Sequence, residues 1–126
     1  MLTIMPVFHG FGLCSSVHMP LSYGITTILI PKFDSKEFYK LMSKYKPNHV
    51  FGVPKLWKAL MNDKKIQGMD LSFMKYIVSG GENMKDGLEE KINKFFEQHN
   101  CYYKLKKGYG STEAVAGTTL SDDNCN

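Results

Sequence analysis

Two hydrophobic periods take turns along this chain, one typical of strands and the other typical of amphipathic helices. Runs rich in apolar and β-branched residues predict strands, and apolar residues spaced i, i+3, i+4, i+7 predict the buried stripe of a helix. The strands predicted in this way are 25–30, 49–53, 74–79 and 102–105, with a further strand opening at 118–120. The predicted helices begin after Asp34, at Pro54 and near Asp86.

The first of these helices has a clear start and stop. Asp34 is a suitable N-cap, Glu37 follows three residues later, and Phe33 is placed to pack against Phe38 across the cap. Pro47 ends the helix, since proline cannot continue the hydrogen-bond pattern. Pro54 in turn suits the first position of the second helix.

The alternation of strands and helices predicts an α/β fold with a mostly parallel sheet, right-handed crossovers and helices on both faces. In such sheets, loops that leave the carboxyl ends of the strands line the ligand crevice. Three unusual segments follow predicted strands: Gly52–Pro54, Ser79–Glu82 and Gly108–Glu113. Their shared position predicts one site.

Composition restricts the function classes. The 126 residues are 43% apolar and 22% charged, which fits one globular unit and excludes a disordered or collagen-like chain. All 16 basic residues are lysines, so planar, two-pronged recognition of phosphate by arginine is absent. The net charge of +4 is mild and the lysines are scattered, which argues against a nucleic-acid-binding surface.

Residues 1–31 carry no charged side chain, yet histidines, serines, glycines and prolines interrupt every apolar run of membrane-spanning length. We therefore expect no membrane span, and we interpret this stretch as a strand and pocket wall in a buried interior. Cys14, Cys101 and Cys125 form no disulfide pattern, which favours a reducing, cytoplasmic location.

The GYGSTE segment at 108–113 contains the most distinctive chemistry. Gly108 and Gly110 permit close approach of the backbone to a ligand, and Tyr109 offers a flat face to a heterocycle. The hydroxyls of Ser111 and Thr112 suit phosphate oxygens, and Glu113 suits Mg²⁺. The alternative is a glycine-rich turn whose threonine and glutamate cap the next segment.

Two other motifs have equally plain alternatives. The backbone of Gly80 and Gly81 could read the edge of an adenine, or the segment could be a strand-to-helix turn in which Glu82 or Asn83 caps the third helix. His9 could line the wall of a pocket or be a structural histidine. His18, His49 and His99 do not match the spacing of a metal-ligand motif, and His99 is expected to interact with the C-terminus of its helix.

The segments PVFHGFGL, VFGVP, SGGENM and GYGSTEA together resemble the adenylate-forming (AMP-binding) superfamily, which includes acyl- and aryl-CoA synthetases, luciferase-like enzymes and peptide-synthetase adenylation domains. Their order and spacing agree over essentially the whole chain, and they look most similar to bacterial acyl-CoA synthetases. The resemblance implies a flavodoxin-like subdomain of that fold. Residues 1–126 would be one internal segment of the large N-terminal domain, with the family's phosphate loop expected before residue 1 and its lysine-bearing C-terminal domain after residue 126.

The resemblance also implies roles for individual residues. Tyr109 would stack on adenine, Thr112 would contact the α-phosphate, and Glu113 would serve Mg²⁺. Gly80, Gly81 and Glu82 would border adenine and the acyl pocket. His9 would line the acyl site near the path of the thiol acceptor.

The implied reaction joins a small carboxylic acid to ATP, giving acyl-adenylate and pyrophosphate, after which coenzyme A captures the acyl group. The segment would be inactive alone, would need the rest of its polypeptide, and could self-associate through uncovered apolar surface. A complete, non-catalytic adenine-nucleotide-binding module is the alternative. Lys107, just before the GYG, could alter the polarity of the acyl pocket or point outward.

Overall fold

The fold is built on a six-stranded sheet in the order β2-β1-β3-β4-β5-β6, seen in a computed structural model that describes residues 1–121. The first five strands are parallel, and β6 pairs with β5 in the antiparallel sense. The strands are β1 (Leu2–Thr3), β2 (Ile28–Leu29), β3 (His49–Gly52), β4 (Tyr76–Ser79), β5 (Leu105–Gly110) and β6 (Gly117–Leu120). The predicted α/β class with a mostly parallel sheet is confirmed.

The connections between the strands are helical. They are a π-helix (Phe11–His18) continued by α1 (Met19–Ser22), a 3₁₀ turn (Ser35–Glu37) continued by α2 (Phe38–Tyr45), α3 (Pro54–Asn62) and α4 (Leu88–Gln98). Within residues 1–121, no helix is long and apolar enough to cross a membrane.

The two faces of the sheet are covered very differently. Helices α2, α3 and α4 pack on one face, which we call the helix face, around the inward side chains of Leu2, Val50 and Ile77. The π-helix and α1 lie on the opposite face, which we call the groove face, against a small cluster that contains Phe51 and Val78. The crossover from β1 to β2 therefore runs over one face, while later crossovers run over the other, and the direction of winding changes between β1 and β3.

The helix face carries the main core. Trp57 of α3 and Phe96 of α4 are fully buried and meet edge to face, with ring centroids 6.0 Å apart. Apolar side chains from all three helices complete this core; its fully buried members include Met42, Leu60 and Ile92. Burial of this kind is the main favourable contribution to folding.

The predicted signals at helix ends are found where expected. The Asp34 carboxylate accepts a hydrogen bond from the backbone N–H of Lys36 at 2.9 Å, and the rings of Phe33 and Phe38 meet edge to face at 5.6 Å. α2 ends at Lys46, whose left-handed backbone (φ 42°) precedes Pro47. Pro54 is the first residue of α3. These starts and stops are local in origin, which is why the sequence predicts them well.

Several predicted elements are wrong in extent. The strand predicted at 25–30 is reduced to β2, and Leu29 is exposed because this strand lies at the edge of the sheet. The strand predicted at 102–105 begins only at Leu105, where its N–H donates to the Asn93 side chain at 2.8 Å, and it continues to Gly110. The first half of GYGSTE is therefore strand rather than loop, because β6 pairs with it.

The N-terminal third departs most from expectation. The strand predicted within 1–31 is only two residues long, and residues 11–22 are helical. α4 begins after Gly87, five residues beyond Glu82, so neither Glu82 nor Asn83 caps it. Cys14 and Cys101 are free thiols, and Cys125 lies outside the described residues.

Candidate functional site

A cavity of about 750 Å³ lies on the groove face and reaches the carboxyl ends of β4 and β5. Eight of the ten residues singled out in the sequence line it, and they come from three separate segments of the chain: His9, Gly80, Gly81, Gly108, Tyr109, Gly110, Ser111 and Thr112. Glu82 and Glu113 are exposed and do not line the cavity wall. The parallel strands thus bring the distinctive loops together, as their positions predict.

The turn after β5 holds its polar groups through local hydrogen bonds. The backbone N–H of Ala114 donates to the Ser111 hydroxyl at 3.3 Å, and the N–H of Val115 donates to the Thr112 carbonyl at 3.0 Å. The backbone N–H of Glu113 itself, and then the Ser111 hydroxyl, lower the pKa of the Glu113 carboxyl. Glu113 is therefore an exposed, ionised carboxylate beside the threonine that lines the cavity.

The His9 segment and the Ser111–Ala116 turn abut. A β-carbon on Gly10 would overlap the carbonyl oxygen of Val115, so only glycine allows this approach. Val115 has a positive φ of 68°, which is strained for a β-branched residue, and such strain tends to occur at functional sites.

The imidazole of His9 is exposed rather than packed as a core residue. Its Nδ1 accepts a hydrogen bond from the backbone N–H of Phe11 at 3.2 Å. The neutral ring then carries its proton on Nε2. His9 thus has one nitrogen fixed by the backbone and the other available to a ligand in the cavity it lines.

The SGGE segment turns sharply at the cavity. The backbone N–H of Gly80 donates to the carbonyl of Gly52 at 3.0 Å, which extends the pairing of β3 with β4 by one bond. Gly81 then adopts a φ of 77°, which side chains disfavour. The chain therefore leaves the sheet with glycine backbone lining the cavity beside Phe11.

The far end of the cavity was not predicted. Beneath the π-helix, the cavity continues over Phe51 and Val78 to His18, His49 and Tyr76 near the amino ends of β3 and β4. The period of two along each strand could have found these residues, since His49 and Phe51, like Tyr76 and Val78, share a face. Burial, then the charges of the N-terminus and Lys75, lowers the pKa of His49.

A second cavity of about 740 Å³ opens at the carboxyl ends of β1, β2 and β3, where the winding of the sheet reverses. Its lining is mostly apolar and includes Val7 and Phe8, while its two basic residues are Lys32 and Lys55. Because His9 lines the first cavity, residues 7–9 form part of the wall between the two cavities.

Lys107 and the metal-binding potential of the chain can both be placed. The Lys107 ammonium group is 2.8 Å from the Glu89 carboxylate of α4, so it lies on the helix face and points away from the acyl groove. Within residues 1–121, no cluster of three or more His, Cys, Asp or Glu side chains could hold a metal ion. A metal at this site would therefore depend on its ligand for most of its coordination.

Comparison with known proteins gives a consistent match. The sequence profile described as "AMP-binding enzyme" matches residues 1–126. A long-chain-fatty-acid–CoA ligase of Bacillus subtilis is 34% identical over 113 residues, which are 90% of this chain and 19% of that protein. A luciferin 4-monooxygenase of Nipponoluciola cruciata is 29% identical over 122 residues, which are 97% of this chain and 21% of that protein.

The fold has clear counterparts among solved structures. The crystal structure of ATP-bound MatB from Rhodopseudomonas palustris superposes with a TM-score of 0.80 at 19% identity, covering 99% of this chain and 23% of MatB. The chain thus spans about a fifth of the length of the curated relatives it matches.

Proposed function

This chain belongs to the AMP-binding enzyme family, and we propose that it is a segment of an ATP-dependent acyl-CoA synthetase. The observation that carries the proposal is the meeting of eight motif residues, from three separate segments, around one cavity. The family includes both acyl-CoA ligases and luciferases among the relatives of this chain. Both belong to the adenylate-forming group, so the first half-reaction is the more secure part of the proposal.

In that half-reaction a substrate carboxylate oxygen attacks the α-phosphorus of ATP, an acyl-adenylate forms, and pyrophosphate leaves. Tyr109 would lie against adenine, beside the Gly80–Gly81 backbone, and the Thr112 hydroxyl would hydrogen-bond an α-phosphate oxygen. Such donors act by stabilising charge that develops in the transition state. This chemistry requires that two anions be held in line, and it needs no nucleophile from the protein.

Glu113 fits the role of a magnesium ligand. It is ionised, exposed and adjacent to Thr112, and Mg²⁺ commonly binds through one or two carboxylates together with substrate phosphates and water. When bound, the metal would neutralise phosphate charge. With no arginine in the chain, lysine, backbone N–H groups and this metal would have to share that task.

The two cavities support a division of labour for the second half-reaction. The acid would lie in the groove-face cavity, and the thiol of coenzyme A would reach the acyl carbon from the side of the second cavity, past His9. The sulfur would bond to that carbon and AMP would leave with the electron pair of the broken bond. The apolar lining and the two lysines of the second cavity suit a chain that ends in phosphates.

Substitution of Thr112 and Glu113 tests the proposal. In the complete polypeptide that contains this segment, Thr112→Ala and Glu113→Ala should each reduce ATP–pyrophosphate exchange by about 100-fold or more, which is typical for loss of one transition-state contact. Thr26→Ala and Glu97→Ala are matched controls, since both residues are exposed and lie outside the cavity.

Unchanged exchange in both variants would refute the assignment. Calorimetry of the 126-residue chain addresses the alternative, a non-catalytic adenine-nucleotide-binding module. Micromolar binding of AMP by the chain alone, with no exchange activity in the complete polypeptide, would favour that module.

A further inference from the structure

We infer that the far end of the groove-face cavity selects flat aromatic acids that carry an oxygen substituent opposite the carboxylate. The inference rests on the proposed function, because it names the acid that this site would activate. It is carried by the residues beyond the nucleotide end, whose shape and chemistry differ from those of a simple hydrocarbon tunnel.

The length of the cavity comes first. From Gly80, at the nucleotide end, to Tyr76, at the far end, the backbone advances four strand residues, or about 13 Å. A ring with a short arm to its carboxylate spans such a distance. An extended long-chain fatty acid is much longer than this and would run into His49 and Tyr76.

The wall of the cavity is aromatic along this length. The rings of Phe11 and Phe51 stack with an interplanar angle of 17° and centroids 6.4 Å apart, and Phe51 and Tyr76 follow at 5.9 Å. His49 continues the series, 5.9 Å from Tyr76. Flat faces and edges in sequence favour contact with another ring, which gains offset or edge-to-face interactions beyond simple burial.

The end of the series is polar and lacks negative charge. The Tyr76 hydroxyl and the imidazoles of His18 and His49 are the polar groups here, and the ammonium group of Lys106 lies 5.9 Å from the centroid of the Tyr76 ring. No aspartate or glutamate is among the cavity-lining residues of the described chain. Donors without a carboxylate match an oxygen acceptor on the ligand, and an unsubstituted hydrocarbon would leave these donors unpaired at a cost.

Binding of three acids to the 126-residue chain, measured by calorimetry, tests the inference. The probes are 4-hydroxycinnamate, cinnamate and hexadecanoate. We expect 4-hydroxycinnamate to bind at least tenfold more tightly than cinnamate, and hexadecanoate to bind more weakly than either. Tyr76→Phe and His49→Phe keep the aromatic wall and remove polar atoms, so they should abolish the preference for the hydroxyl and leave cinnamate binding unchanged.

Tyr102→Phe is the matched control, because Tyr102 is 78% exposed and outside the cavity. Equal affinity for the two cinnamates, stronger binding of hexadecanoate, or no saturable binding of any acid would each overturn the inference. The readout needs no ATP. A chain that binds the hydroxylated acid selectively but whose complete polypeptide makes no adenylate would refute the proposed function and leave this inference standing.

Discussion

The helix face and the groove face of the same sheet are built for different purposes. On the helix face, three helices bury a continuous core in which Trp57, Phe96 and Ile77 are fully excluded from solvent. On the groove face, the buried apolar cluster is limited to Met1, Phe51 and Val78, and a large cavity borders it. Stability therefore comes chiefly from one face, and the candidate chemistry lies on the other.

This division runs residue by residue along each strand. Ile77 faces the main core and Val78 faces the cavity, although the two are adjacent in the sequence. Because strand side chains alternate in direction, neighbouring positions come under different demands. Substitutions on the helix face should therefore change the free energy of unfolding, whereas those on the groove face should change ligand binding.

The largest expected effect is on the helix face. Trp57→Ala should lower the free energy of unfolding by about 3–5 kcal/mol, the usual cost of removing a large buried aromatic side chain. Phe51→Ala on the groove face should cost roughly 1–2 kcal/mol, less than the usual range because the space it leaves opens onto an existing cavity. Urea denaturation followed by circular dichroism measures both, since Trp57 is the only tryptophan and its fluorescence is lost in the variant.

Trp57→Phe provides a control that keeps most of the volume and should recover more than half of the loss. Equal destabilisation by Trp57→Ala and Phe51→Ala would break the comparison, because it would show that the groove face contributes as much to stability as the helix face.

The two described cysteines sharpen the comparison with a chemical probe. Cys101 is 2% exposed on the helix face and donates its S–H to the Met74 carbonyl at 3.4 Å, and burial raises the pKa of its thiol. A raised pKa means that less reactive thiolate is present at pH 8. Cys14 is half-buried on the π-helix and lines the cavity.

In a Cys125→Ser background, we expect an aromatic disulfide reagent at pH 8 to modify Cys14 at least about 100-fold faster than Cys101. Mass spectrometry of the labelled chain identifies the site. In concentrated urea the two rates should converge, which controls for intrinsic reactivity. Similar rates in the native chain would show that the helix-face core opens as readily as the groove.

What the sequence could predict follows the range of the interactions involved. The cap at Asp34 and the start at Pro54 depend on residues a few positions away, and both were predicted correctly. The strand at 25–30 was overestimated because a β-branched run does not reveal that β2 lies at the sheet edge. The extent of β5 depends on pairing with β6, which lies beyond a turn.

The same reasoning applies to the site. Gly80 and Tyr109 were found because they follow strands, and parallel strands place their carboxyl ends together. His49 and Tyr76 were missed because they lie within strands, where only knowledge of which face is covered separates a core residue from a cavity residue. The helical conformation of residues 11–22, which cover part of the groove face, had no periodic signal in the sequence.

The smallest expected effect concerns two adjacent lysines. Lys107 pairs with Glu89 at 2.8 Å in a largely exposed position on the helix face, so Lys107→Met should change the free energy of unfolding by less than about 1 kcal/mol. Lys106, half-buried beside Tyr76 on the groove face, should behave differently. Lys106→Met should weaken binding of 4-hydroxycinnamate by several-fold, while Lys107→Met leaves it unchanged. Urea denaturation and calorimetry on both variants separate the two roles, and a loss of acid binding in Lys107→Met would show that alternation along β5 does not divide stability from ligand binding.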